Sequence, residues 1–287
     1  MGGMGNQMFQ YAFGKYLAIK HNVPLKIDTR FLLDRSPRES GFVFRNYDLD
    51  IFNLNPDVAT HSEIAALTNR TGNEFSNKIL KKIIGRKHTH VLEPHFNFSQ
   101  KCFCASKNSY LEGYWQTEKY FKPVEELLRN HDFTFKNPMA PLAAELSIVI
   151  QTSNAVCVNI RRGDFVTNDF HGAVGIDYYK HAETIIISDV TDPHYFVFSD
   201  EIDWCRENIV FAGQVTYVGH EYAGVKFQDY LRLMVICKHF IIPNSSFAWW
   251  AVWLNESKNK TVIAPKKWFN NSNWDTCDLT PKEWIKI

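Results

Sequence analysis

From Val156 onward, short apolar runs alternate with helix-patterned segments, and this alternation constrains the fold more than any other feature of the chain. Val156–Ile160, Tyr195–Phe198, Val215–Val218, Phe240–Ile242 and Thr261–Ala264 read as strands, separated by helices over Tyr178–Ile187, Glu201–Asn208, Phe227–His239 and Phe247–Leu254. Repeated strand–helix order implies a parallel sheet covered by helices, an α/β class of fold.

The 287 residues allow one large domain or two. Between Asn137 and Asn154 the chain carries Pro138 and Pro141, a helical stretch Leu142–Ile150 and a polar turn. A boundary there divides the chain into residues 1–150 and 151–287. In the first part Met8, Phe9, Ala12, Phe13, Tyr16 and Leu17 draw one face of a helix, entered through Gly2, Gly3, Gly5 and Asn6. Strands are expected over Leu25–Asp28 and Tyr110–Gln116. Helices are expected over Asn77–Gly85 and over Glu118–Asn130, with Pro123 in the first turn of the latter. The remaining polar and aromatic stretch up to about residue 75 shows no clear period.

Composition narrows the function. Hydrophobic residues make up 45% and charged residues 22%, too apolar for a disordered chain. The formal net charge of +1 offers no overall field for nucleic acid or anionic lipid, so any anion site must be local. Six cysteines without a C-x-x-C pair argue against a zinc site or a disulfide framework. No apolar run approaches the ~20 residues of a membrane span, and the N-terminus lacks a signal-peptide core. The expectation is a soluble cytoplasmic protein, with peripheral placement at the inner face of a membrane left open.

In open α/β sheets ligands bind beyond the carboxyl ends of strands. After the first strand of the alternation come Arg161-Arg162-Gly163-Asp164, two forked cations that suit a phosphate and a carboxylate that can orient one of them. The alternative is a surface ion-pair cluster. After Phe240–Ile242 come Pro243-Asn244-Ser245-Ser246 and an aromatic helix, whose unpaired amides and hydroxyls would suit an anion; an ordinary serine N-cap is the competing reading. Ser199 and Asp200 could bond ribose or sugar hydroxyls, or Asp200 could simply cap the next helix. Asp48-Leu49-Asp50 matches a D-x-D metal motif, but no neighbouring carboxylate cluster completes an oxygen site, so no metal is expected.

Taken together, Gly2–Ala12, Gly113–Gln116, Ile160–Asp164, Phe198–Ile202 and Cys237–Trp250 resemble, in order, the motifs of the bacterial-type alpha-1,2-fucosyltransferases of glycosyltransferase family eleven. The resemblance implies a GT-B-like arrangement of two Rossmann-type halves, with parallel sheets flanked by helices and the donor held in the C-terminal one. It implies GDP-L-fucose as donor, no cofactor or metal, and transfer with inversion to the 2-hydroxyl of a galactoside, an oligosaccharide or a lipid-linked glycan, in surface polysaccharide synthesis. By the same resemblance Arg161 meets the β-phosphate, Arg162 and Asp164 brace it, Asn244, Ser245, Ser246 and Phe247 hold phosphate and sugar, Asp229 takes the guanine, and Gly5 and Asn6 close over the donor.

Three positions depart from the family pattern. Asn159 stands where a histidine commonly precedes the arginines, Asp229 is shifted by one place, and the strand that normally leads into the glycine loop is not in this sequence. Asn159 keeps another GDP-sugar open as donor, and the missing strand keeps a non-catalytic nucleotide-sugar or glycan-binding protein open. Inversion requires a proton acceptor, and Asp177, His171 and Glu118 qualify by type alone. Acceptor identity and oligomeric state are not legible in the sequence.

Overall fold

Every strand expected beyond residue 154 is present, and all lie in one sheet. The structure, a computed structural model, describes residues 1–38, 42–69, 86–168, 170–270 and 274–287. The helix expected over Asn77–Gly85 lies outside the described residues. The chain forms two compact units, Met1–Thr134 with Cys277–Leu279, and Phe135–Thr276 with Thr280–Ile287. The sequence boundary at residue 150 thus falls at the end of a helix, Pro141–Thr152, that packs with the second unit.

In the first unit, helix α1 (Met4–His21) starts one residue before Gly5, so Gly5 and Asn6 are helical and only Gly2 and Gly3 form the approach. The apolar stripe of α1 buries Met8, Phe9, Ala12 and Phe13 almost completely. Phe13 meets Trp115 at 4.7 Å and Tyr120 at 4.8 Å between ring centroids, and Phe9 meets Phe121 at 6.1 Å. Strands are short here: β1 (Lys26–Ile27) pairs in parallel with β2 (Asp57–Val58), and β3 (His90–Leu92) with β4 (Tyr110–Glu112). Helices α2 (Arg30–Leu33) and α3 (His61–Leu67) lie among them. The expected strand Tyr110–Gln116 stops at Glu112, and beyond it the chain bends at Trp115, which takes a left-handed φ of 58°. That bend is held by Glu93, whose carboxylate accepts the Tyr114 and Trp115 amides at 2.6 and 2.9 Å. The expected helix Glu118–Asn130 is instead a series of short helical turns, with Pro123 in the second.

The second unit opens with α4 (Pro141–Thr152), which leads into β5 (Asn154–Ile160). There follow α5 (Gly163–Val166), α6 (Ile176–Asp189), β6 (Pro193–Ser199), α7 (Ile202–Asn208), β7 (Gln214–Val218) and α8 (Gln228–Val235). Strand β8 (His239–Ile241), α9 (Ser246–Leu254), β9 (Val262–Ala264) and β10 (Ile285–Lys286) complete it. The six strands are parallel in the order β10-β9-β8-β5-β6-β7, the helix-flanked sheet of a Rossmann-type half. Residues Ala155–Ile160 and His194–Ser199 are buried without alternation, as strands covered on both faces must be. Tyr179, Ala182 and Ile186, one face of α6, pack on Val156, Val158, Tyr195 and Val197. Helix α9 is apolar all round and keeps Trp249 and Trp250 wholly buried. Each such ring removes roughly 150–250 Å² from water, about 4–6 kcal/mol as an upper bound.

Candidate functional site

The sheet order itself marks a place. From β5 the chain steps to β6 and β7 on one side, then returns to lay β8 against the other side of β5 and continues outward to β9 and β10. Winding therefore reverses between β5 and β8, and the crevice beyond their carboxyl ends is where such sheets take ligands. The segments leaving these two strands are Arg161–Asp164 and Ile242–Phe247, both singled out in the sequence.

At the end of β5 the register pairs Ile160 with Ser199, which sets Asp200 beside the two arginines. Arg161 forms an ion pair with Asp164 through Nη2 and with Asp200 through Nη1, the latter at 2.9 Å. Two carboxylates thus fix one guanidinium and leave part of its five-donor fork for another group. The backbone amide of Arg162 donates to Asp200 Oδ1 at 3.0 Å. Its side chain turns away, donating to Glu201 at 2.8 Å and lying 3.5 Å over the Trp204 ring. Asp200 is committed to the arginines, and the N-cap position of α7 belongs to Glu201, so the capping alternative for Asp200 does not hold. Ser199 is buried, and its hydroxyl accepts the Glu201 amide at 2.9 Å. Gly163 makes a close approach: a Cβ there would meet Asp200 Oδ2 and force that carboxylate to shift.

At the end of β8, Asn244 is 3% exposed. Its Nδ2 donates to the carbonyls of His171 at 3.0 Å, Gly172 at 3.2 Å and Trp268 at 3.0 Å, while its Oδ1 is buried without a partner. Ser245 occupies the N-cap position of α9 with no side-chain cap bond, so its hydroxyl is not spent on the helix. Ser246 and Phe247, in the first turn, are half-buried. The Asn244 clamp brings the 170–172 segment to the arginine cluster, where His171 stacks on Phe165 at 4.6 Å and 8° and Phe165 lies 5.3 Å beneath Arg161. Burial lowers the His171 pKa; the Asp164 carboxylate opposes that shift and the Arg161 cation reinforces it.

The structure therefore brings together Arg161, Arg162, Asp164, Ser199 and Asp200, and links them through Phe165 and His171 to Asn244. Asp229 is 2% exposed in α8, where its carboxylate accepts from the Ala140 amide at 3.3 Å and from Arg232 at 3.2 Å. Asn159 is buried and donates to the Phe198 carbonyl at 3.2 Å. Gly5 and Asn6 belong to the first unit, where Asn6 Oδ1 accepts from Gln116 at 2.6 Å. Asp48 of the D-x-D triplet has its backbone amide on Gln7 Oε1 at 3.0 Å, and among the described residues no three His, Cys, Asp or Glu side chains group as metal ligands. No helix among the described residues is long and apolar enough to cross a membrane. Sequence reasoning missed Phe165, Glu201 and Trp204 as partners of the arginines. Their only signal was proximity to Arg161 and Asp200 along the chain.

The family model for glycosyl transferase family 11 matches residues 53–287. An alpha-1,2-colitosyltransferase of Escherichia coli is 33% identical over 100% of this chain and 96% of its own length. The O-antigen biosynthesis glycosyltransferase WbnK of Escherichia coli is 31% identical over 100% and 98%. Galactoside alpha-(1,2)-fucosyltransferase 2 of Oryctolagus cuniculus is 25% identical over 88% of this chain and 65% of its own length. With the motifs at the strand ends and a match across most of its length, this chain belongs to glycosyl transferase family 11 and is a glycosyltransferase that moves a sugar from a nucleotide-sugar donor to a glycan acceptor.

Proposed function

We propose that the protein transfers L-fucose from GDP-L-fucose to the 2-hydroxyl of a terminal galactose, with inversion, during assembly of a surface polysaccharide. The observation that carries this reading is the guanidinium of Arg161, fixed by Asp164 and Asp200 at the switch point of the sheet. As the acceptor oxygen bonds to the sugar C1, its hydroxyl proton passes to water, the C1–O bond to the diphosphate breaks and negative charge collects on the β-phosphate. A pre-oriented cation stabilises that charge without reorganising. In this reading Arg161 meets the β-phosphate, Asp164 and Asp200 hold it in place, and the Arg162 amide fixes Asp200. The first amides of α9, with the hydroxyls of Ser245 and Ser246, receive the remaining phosphate oxygens, and the site needs no metal. The alpha-(1,2) linkage and the galactoside acceptor are taken from the mammalian relative's name, and the polysaccharide setting from the O-antigen relative.

A second reading, colitose as the transferred sugar, is favoured by the name of the relative at 33% identity. The test is GDP release from GDP-fucose with and without lactose, in EDTA, for the natural chain and for Arg161→Ala. Release that lactose stimulates, EDTA spares and the substitution abolishes supports the proposal. Tight GDP binding without release from GDP-fucose, but with release from GDP-colitose, replaces fucose by colitose as the donor sugar.

A further inference from the structure

The second unit carries an aromatic cluster that the phosphate chemistry does not use. His171 stacks on Phe165, meets Phe170 edge-on at 4.8 Å and meets Phe269 at 5.5 Å. Trp274 closes the rim, 4.5 Å from Phe170 and 5.6 Å from Phe269. Phe170 and Trp274, 36% and 38% exposed, turn part of each ring to solvent and give the cluster an open apolar face.

The fold fixes this cluster with unusual investment. Besides the three carbonyls held by Asn244, the Asn270 amide donates to the Phe170 carbonyl at 3.0 Å. Gly172 adopts a φ of 68° at a point where a Cβ would press on the Asn270 side chain. Two buried polar atoms, His171 Nδ1 and Asn244 Oδ1, have no hydrogen-bond partner among the described residues. Orphaned polar atoms of this kind cost about 1–3 kcal/mol each and mark a place where a partner belongs.

Apolar rings, a ring nitrogen and the adjoining Arg161 fit a particular ligand, a sugar with one deoxygenated edge. A 6-deoxyhexose presents a methyl group and C–H bonds on one side and hydroxyls on the other. We infer that Phe165, His171, Phe269, Phe170 and Trp274 form the subsite for the transferred sugar and select a 6-deoxyhexose by packing its methyl edge against the rings, with His171 bonding a sugar hydroxyl. This rests on the donor reading proposed above, and it places selection for the deoxy edge beside Arg161 and apart from Ser245–Phe247.

GDP-L-galactose is the matched probe, since it differs from GDP-L-fucose only by a hydroxyl at C6. Dissociation constants for GDP, GDP-L-fucose and GDP-L-galactose, measured by calorimetry, separate the donor reading from the subsite. The natural chain is expected to prefer the fucose donor over the galactose donor by about 10- to 100-fold, the span open to an apolar pocket facing one added hydroxyl. Trp274→Ala and His171→Ala are each expected to keep GDP affinity within about threefold and to cut that preference at least fivefold. His171→Phe, which keeps the ring stack, is expected to retain the preference while weakening both sugar donors. Absence of GDP binding by the natural chain sinks the donor reading and the subsite with it. GDP binding with no preference, or with a preference untouched by Trp274→Ala and His171→Ala, overturns the subsite alone.

Discussion

The two units keep themselves together by different means, and the difference decides what their sequences reveal. In the second unit a six-stranded parallel ladder sets the spacing of everything else, and its strands are buried on both faces. In the first unit the described strands are pairs two or three residues long, and the centre is a set of rings gathered around Phe13. A ladder imposes a period on the chain that crosses it; a ring cluster draws residues from irregular segments and imposes none. The second unit is therefore a scaffold with loops at defined ends, whereas the first is a packing of side chains with backbone arranged to suit.

That contrast can be broken most sharply at Phe13. Phe13→Ala should cost about 3–5 kcal/mol, the usual range for a fully buried ring. Hydrogen exchange should show amide protection lost first across the first unit, including Trp115 and Tyr120. An equal loss in β5 and β6 would mean that the distinction between the units is not energetic. Next in size is Arg161→Ala, expected to lower turnover at least about 10²-fold, near 2.7 kcal/mol, with the urea midpoint close to that of the natural chain. Near-normal turnover would remove this guanidinium from the mechanism. Gly163→Ala should push Asp200 away from Arg161 and the Arg162 amide; losing charge-assisted bonds of about 1.5–3 kcal/mol predicts a 10- to 100-fold weaker grip on GDP. Unchanged GDP affinity there would show that Asp200 does not orient the cation.

The smallest effect concerns pH. Burial lowers the pKa of His171, His194 and His239, all in the second unit. A histidine whose folded pKa lies below its ordinary 6.5 binds fewer protons folded than unfolded as pH falls through that range, so stability is fully present above it and declines below it. The urea midpoint should fall as pH drops below about 6.5, and His194→Gln should flatten part of that slope. A midpoint that does not change below that pH would contradict the assignment.

Legibility followed the same division. The strands of the second unit stood out because a covered parallel strand must be apolar along its length, as Val156–Ile160 and Tyr195–Phe198 are. Arg161, Asp164 and Asp200 could be picked out because they follow strands directly. Their pairing could not, because it depends on the β5–β6 register that sets Ile160 beside Ser199. His171 is one of three candidates by type, and its location follows from the Asn244 clamp on its carbonyl, a contact 73 residues apart in sequence. The strand expected through Gln116 ends at Glu112, and beyond it a side chain far in sequence, Glu93, holds at Trp115 a left-handed backbone that no local rule asks of a tryptophan.

Helix α9 has a further consequence. Every residue from Ala248 to Trp253 lies within the apolar interior, and Trp249 rests 5.9 Å from Trp284, next to the last strand of the sheet. A ligand gripped at the amino end of such a column cannot loosen it without disturbing the whole interior, so the gain from binding spreads through the unit instead of staying at the surface. Nucleotide-sugar analogues should therefore announce themselves as raised melting temperature, in proportion to the logarithm of ligand over dissociation constant. Heat resistance then becomes a screen for donors that needs no knowledge of the acceptor.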